Sequence, residues 1–456
     1  MLNLNFLTAR SRAARICMPK ILISNFTQNP DHFLFDGVKT HNHELVQTLL
    51  EAQCNLSMLV SVDKLNNAPP LKPVNHFMLN NREWLLRRSI LEKDLFKLKL
   101  IKSFFHRNTA CFDGSELLFS PFSQWGLMDK IYVEELLKRK STSYYKIRKK
   151  LWNIPDYRDY NLFIQNYPFP VCTKEIPSAI FIHDLIPLTH PHLVKTGLSK
   201  KCFNLINLII KQYNHILVIS EDTKLTLLRY FDIDEKKIEV VYQSVDSNVE
   251  QYNDIEATSI LTPLNLMPKK FLLYVARFEP RKNHERLINA YQSANVDLPL
   301  VLVGRLDSSK WMLPPSIKKM MMFPKRLGQN VVELGGHKKI IWLEEVTGLT
   351  LSVLYRSAKG LIYPSLAEGF GLPIVEAFAH GCPVAAANCT AIPEISGNAA
   401  LFFNPYCIKE MAKAMAVLCH DADWCTELAD LGRARATHFS REQYKKRLMN
   451  SLASYF

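Results

Sequence analysis

The sequence predicts an α/β protein built on two parallel sheets with helices on both faces. Three observations carry that expectation. The chain has 456 residues, too many for one ordinary domain and enough for two with separate cores. Short apolar runs alternate with helical patterns, the rhythm of parallel strands joined by crossover helices. One stretch, Leu361 to Phe378, reads as buried strand, glycine loop and helix in succession, an order that leaves free amides at a helix start.

Met1 to Lys20 holds Arg10, Arg12, Arg15 and Lys20 and no acid. Such a start fits a transit segment or an upstream extension. Too few apolar residues fall in a helical stripe for a good presequence, so residues 1–18 are expected to be an extension ahead of Met18. The first strand is expected at Lys20–Phe26 and a helix at His43–Ala52. From Lys72 to Lys150 the chain carries 17 basic and 8 acidic residues, about +9 of the net +14. A helical candidate runs from Arg82 to Arg107, and Lys138–Lys140 and Lys146–Lys150 follow. Trp84, Phe104, Phe105, Tyr144, Tyr145 and Trp152 are interleaved with or flank these charges. Basic and aromatic residues together suit an anionic membrane surface; a core-facing stripe with a solvated basic face is the plainer reading. No nucleic-acid module accompanies the charge.

Further strands are expected at Ala179–Ile182, Ile216–Ile219 and Ile238–Val241. Ser247 to Lys270 is polar, without a strong period, and reads as the hinge between the two halves. After it come strands at Phe271–Ala276, Leu298–Val303, Ile340–Leu343, Leu361–Tyr363 and Pro383–Ala387, with helices at His284–Tyr291, Leu349–Ala358 and Pro373–His380. Apolar residues make up 48% and charged residues 22%, which argues against disorder and coiled coil. No run of 18 apolar residues signals a membrane span. The ten cysteines form no C-x-x-C pair, so neither a metal site nor a disulfide framework is expected.

The chemistry concentrates in two stretches. In the first, Tyr363–Pro364 ends a strand, Gly369 and Gly371 lie in a loop, and Pro373 suits the first turn of the helix that follows. The free amides at that helix start form an anion site. Glu376, about one turn in, can accept both hydrogen bonds of a vicinal diol, and Glu368 can reach a second polyol. Two glutamates around an anion site fit a ligand with hydroxyls on either side of its phosphates, which describes a nucleotide sugar. In the second stretch, Tyr274–His284, Arg277 and Lys282 sit at the carboxyl end of a strand, where ligands of open α/β sheets bind. Two cations there can neutralise a diphosphate. Asn283 is expected to cap the next helix.

With Glu368 and Glu376 in E-x7-E spacing and Arg277 and Lys282 in R-x4-K spacing, the chain resembles family 4 glycosyltransferases, the retaining, nucleotide-sugar-dependent GT-B group. Phe181–Pro187, containing His183-Asp184-Leu185, and Val218–Lys224 resemble further segments of that family. The resemblance implies two Rossmann-like domains facing a cleft, at residues 19–250 and 251–438. It also implies a C-terminal helix over 439–456 that returns to the first domain. It implies that Arg277 and Lys282 hold the donor diphosphate and that Glu376 binds ribose. By the same resemblance Glu368, with the backbone of Gly369, Phe370, Gly371 and Leu372, would contact the sugar, and His183 would line the reaction centre. The reaction implied is hexosyl transfer, of mannose or glucose, to a glycan or lipid-linked glycan, as in surface polysaccharide or lipopolysaccharide assembly. No cofactor and no metal are expected, because the cations take the metal's place. A D-x-D, Asp232-Ile233-Asp234, follows a helical run. The expected location is cytoplasmic, peripheral on the inner membrane face. The alternatives are a non-catalytic donor-binding subunit and a GT-B sugar-nucleotide epimerase. Two positions depart from the family pattern: Ala276 replaces the glycine before the phosphate arginine, and Gln243-Ser244 replaces an Asn-Gly pair.

Overall fold

The computed structural model describes residues 19–25, 37–62, 109–113, 130–135, 141, 145–146, 148–154, 157–194, 196–245, 252–305, 325–328, 331–334 and 338–456. Two eight-stranded sheets organise them. The first sheet runs, edge to edge, Ile238–Val240, His215–Val218, Ser178–Ile182, Leu162–Gln165, Lys20–Asn25, Asn55–Val62, Lys130–Glu135 and Thr109–Asp113. Only its last pair is antiparallel. The second sheet runs Lys325–Gly328, Val331–Leu334, Ile340–Leu343, Leu300–Val303, Leu272–Val275, Gly360–Tyr363, Val384–Ala387 and Ala400–Phe403. Its six-strand core is parallel and its first two strands are antiparallel.

Helices cover both faces, so the central strands must be apolar on both. Ser178–Ile182, His215–Val218, Leu272–Val275, Leu300–Val303 and Gly360–Tyr363 are buried at every residue. That two-sided burial is why these strands read as continuous apolar runs rather than alternating ones.

The strand order matters most for function. In the first sheet the chain winds outward one way from Lys20–Asn25 and the other way from Leu162–Gln165. In the second it does so from Leu272–Val275 and Gly360–Tyr363. Each such reversal opens a crevice at the carboxyl ends of the two central strands, where α/β sheets bind ligands.

The helix Arg441–Leu452 lies against the first sheet's core. Tyr444, Leu448 and Leu452 share one buried cluster with Ile21, Ile23, Leu45 and Leu49. Arg441 pairs with Glu44 at 3.1 Å and Glu51 at 2.7 Å. Phe370, Val375 and Ile395 of the second half belong to that same cluster, so it joins both halves.

The stretch Ser247–Lys270, read as the hinge, carries a helix of its own: Asp254–Leu261, entered through a reciprocal capping box between Asn253 and Glu256. Ala257 and Leu261 bury against the second core. The helix escapes notice because it is short and buries only two side chains. The Arg82–Arg107 helical candidate and Lys138–Lys140 lie outside the described residues. Lys146, Arg148, Lys149 and Lys150 are described and exposed. Among the described residues no helix is long and apolar enough to cross a membrane. The described cysteines are free thiols.

Candidate active site

Several residues singled out from sequence follow the carboxyl ends of parallel strands. In the second half, Arg277 and Lys282 follow the strand Leu272–Val275, and Glu368 follows its neighbour Gly360–Tyr363. Pro280 starts a single 3-10 turn over Pro280–Lys282. Within that turn Lys282 turns inward and is 8% exposed, while Arg277 ahead of it stays exposed.

Glu368 is buried and ionised. Its Oε1 accepts from Lys282 Nζ at 2.5 Å and from the Tyr363 hydroxyl at 2.9 Å. Its Oε2 accepts from Arg281 Nη1 at 2.7 Å. Burial alone would raise this carboxyl, but Arg281 and then Lys282 outweigh it, and the group is pulled down to about 2. Burial, followed by the nearby Arg281 guanidinium, lowers the Lys282 amine. Arg281 is the residue the sequence reading missed. The signal was the Arg281-Lys282 doublet itself, whose members a tight turn must send in different directions.

The glycine loop serves two steric needs. A Cβ on Gly369 would stand 2.3 Å from the His183 carbonyl oxygen and 2.9 Å from Asp184 Cβ. The loop therefore meets the first half backbone to backbone. Gly371 takes φ +105° and precedes the helix Leu372–Ala379, with Pro373 in its first turn. The side chains of Phe370 and Leu372 go into the core joining the two halves, which leaves only their backbone for a ligand. Glu376 lies one turn in, raised by burial despite a 2.7 Å hydrogen bond donated by the Tyr355 hydroxyl.

Opposite this loop, His183 follows the strand Ser178–Ile182 and is 6% exposed. Its Nε2 donates to the Asn166 carbonyl at 2.8 Å, which leaves Nδ1 facing the Gln243 amide at 3.5 Å. His41, from the helix Gly37–Glu51, packs edge-on to His183 at 4.9 Å. His41 Nδ1 donates to Asn166 Oδ1 at 2.7 Å, and Nε2 accepts from the Tyr444 hydroxyl at 3.1 Å. The departure at Gln243 is thus placed against the family histidine. The departure at Ala276 meets its glycine elsewhere: a Cβ on Gly304, φ +149°, would stand 2.0 Å from the Ala276 carbonyl oxygen.

Asn283 stands at the expected helix start but does not cap it. It takes φ 61°, and its amide donates to the carbonyls of Pro364 at 3.0 Å and Pro405 at 2.8 Å. A left-handed backbone turns the side chain away from the helix amides, and here it ties the cation turn to two neighbouring loops.

Residues 262–435 match the family described as glycosyl transferases group 1, and residues 130–249 match Glycosyltransferase Family 4. The chain belongs to the family 4 glycosyltransferases. It is accordingly a retaining glycosyltransferase on the GT-B fold. Its relatives include O-antigen chain mannosyltransferase B of Escherichia coli, 26% identical over 312 residues, which span 67% of this chain and 77% of the relative. O-antigen chain mannosyltransferase RfbU of Salmonella typhimurium is 30% identical over 244 residues, 52% of this chain and 60% of that one. The fold agrees with HepE of Anabaena, crystallised with UDP and glucose, at TM-score 0.63 and 16% identity, covering 96% of this chain and all of that one. Sucrose-phosphate synthase of Thermosynechococcus elongatus gives TM-score 0.64 at 16% identity, covering 96% and 98%.

Proposed function

We propose that this glycosyltransferase moves mannose from a nucleoside diphosphate donor to a hydroxyl of a glycan or lipid-linked glycan, in assembly of an O-antigen-type surface polysaccharide. One observation carries the site assignment: Glu368, buried between Arg281 and Lys282, stands at the glycine loop that meets His183. The sugar and the pathway rest on the relatives, two of which are named O-antigen chain mannosyltransferases.

In this reading Arg277, Lys282 and the amides of Gly369–Leu372 take up the negative charge that grows on the departing nucleoside diphosphate. Preformed donors aimed at developing charge are the largest catalytic term in such sites, and these cations do the work otherwise given to a metal ion. Glu376 receives the ribose hydroxyls, Glu368 a donor-sugar hydroxyl, and His183 faces the sugar from the first half. The protein works on the cytoplasmic side, where it docks on the membrane peripherally.

A screen of GDP-mannose, UDP-glucose and other sugar nucleotides, read by nucleoside diphosphate release with added glycan acceptor, tests this. GDP-mannose is expected to give acceptor-dependent release that persists in EDTA. Isomerised donor formed without acceptor would point to an epimerase instead.

A further inference from the structure

We propose that Arg281 is the positioning residue for Glu368: it keeps this carboxylate ionised and in place while Lys282 leaves it for the departing diphosphate. The inference rests on the functional reading above and assigns a third cation to the site. Glu368 holds one cation on each oxygen, Lys282 on Oε1 and Arg281 on Oε2. Its side chain is only 8% exposed. If Lys282 turned to a phosphate and nothing else held Glu368, a buried carboxylate would be left without a partner, at considerable cost.

The geometry says which cation stays. Arg281 is tied on several sides. Its Nε donates to Glu279 Oε2 at 2.9 Å and its Nη1 to the Ala367 carbonyl at 3.2 Å. Its own carbonyl accepts from the Leu366 amide at 2.7 Å. Turning it toward a phosphate would break the joint between the two loops. Lys282 has one compact head on a flexible stem, and its other side-chain contact is the neutral Tyr363 hydroxyl at 3.1 Å. Arg277 differs from both: its side chain is 43% exposed and its nearest carboxylate is Glu279 at 3.7 Å. Arg277 and Lys282 are thus available to the diphosphate, and Arg281 to the carboxylate.

The electrostatics agree with the geometry. The Arg281 charge is the largest single influence opposing the burial of Glu368, and Lys282 adds its charge and its hydrogen bond. The other titratable groups facing Glu368 are Tyr363, Tyr274 and Cys389, with Glu279 and Asp184 acting through Arg281. None of these replaces a cation.

The experiment compares wild type, Arg281→Gln, Arg281→Lys and Lys282→Ala. It reads the affinity for GDP and UDP, turnover with the best donor, and the Glu368 carboxyl titrated by 13C NMR. Arg281→Gln should leave nucleoside diphosphate affinity as in wild type and lower turnover about 10- to 100-fold. It should also shift the Glu368 titration and the acid limb of turnover upward, and Arg281→Lys should restore part of each. Two results overturn the proposal. One is nucleoside diphosphate affinity that falls in Arg281→Gln as far as in Lys282→Ala, which makes Arg281 a phosphate ligand. The other is an unmoved Glu368 titration. The titration needs no turnover, so a wild type inactive with every donor would count against the functional reading and leave this test standing. Arg281→Lys serves as the reading variant if Arg281→Gln does not fold.

Discussion

At the scale of single residues the site is a set of buried charges, each held by named neighbours. Lys282→Ala removes the ammonium proposed to meet the leaving group, and turnover should fall by the worth of a charge-assisted hydrogen bond, about 1.5–3 kcal/mol. Glu376→Ala should instead weaken GDP or UDP binding more than turnover; calorimetry showing unchanged affinity would remove the ribose assignment. The buried charges also set the response to acid. The Glu368 carboxyl is depressed from 4.5 to about 2, so its contribution to stability is present above pH 4.5 and is lost as pH falls toward 2. His284, stacked on Phe278, is pushed by burial and then by Lys282 from 6.5 down to about 3. Its neutral form favours the fold above pH 6.5, and that contribution declines as pH falls below it. Melting temperature should therefore drop in two stages on acidification, and Glu368→Gln should flatten only the stage below 4.5. A slope unchanged in Glu368→Gln would contradict the ionised, buried assignment. The sequence singled out Glu368, Lys282 and His183 as candidates because each sits in a short motif with fixed spacing. It could not show Arg281 gripping Glu368, or His41 beside His183, because those contacts join positions 87 and 142 residues apart, and no local spacing records them.

At the scale of elements, a loop and a short helix add two polar or backbone contacts between the halves to the apolar cluster they share. Gly369 meets the His183 carbonyl so closely that Gly369→Ala must move the two apart. A displacement of that order near reacting groups costs about 100-fold in turnover, measurable as donor consumption by an enzyme that still melts cooperatively. The second contact is Glu394. Its carboxylate accepts from the amides of Glu221 at 2.7 Å and Asp222 at 2.9 Å, at the start of the helix Glu221–Tyr230 in the other half. An anion there satisfies free amides and complements the helix dipole. Glu394→Ala should lower stability by about 1–2 kcal/mol in urea titration, whereas an unchanged midpoint would mean the contact is idle. The central strands were legible because burial on both faces leaves an apolar signature. Edge strands such as Thr109–Asp113 and Lys325–Gly328 were not: they are short and carry lysine, arginine, aspartate or glycine within or at their ends.

At the scale of the whole molecule, the helix Arg441–Leu452 was readable as a return to the first half, and its Tyr444 now connects to His41 and through Asn166 to His183. The basic first half is proposed to bring the site to an anionic membrane. Binding to phosphatidylglycerol vesicles should fall steeply with salt, since each basic residue near the surface contributes about 1 kcal/mol that ions screen. Neutralising the exposed Arg148, Lys149 and Lys150 together should weaken it further, and indifference to such vesicles at low salt would assign that stripe to ordinary solvation. The proposed activity is retaining mannosyl transfer from a nucleoside diphosphate at the Glu368–Lys282 site. The most direct test is proton NMR of the glycan formed from GDP-α-mannose by wild type and by Lys282→Ala. Wild type is expected to make an α-mannosyl linkage that is strongly diminished in the variant; a β linkage, or transfer undiminished without Lys282, would refute this assignment.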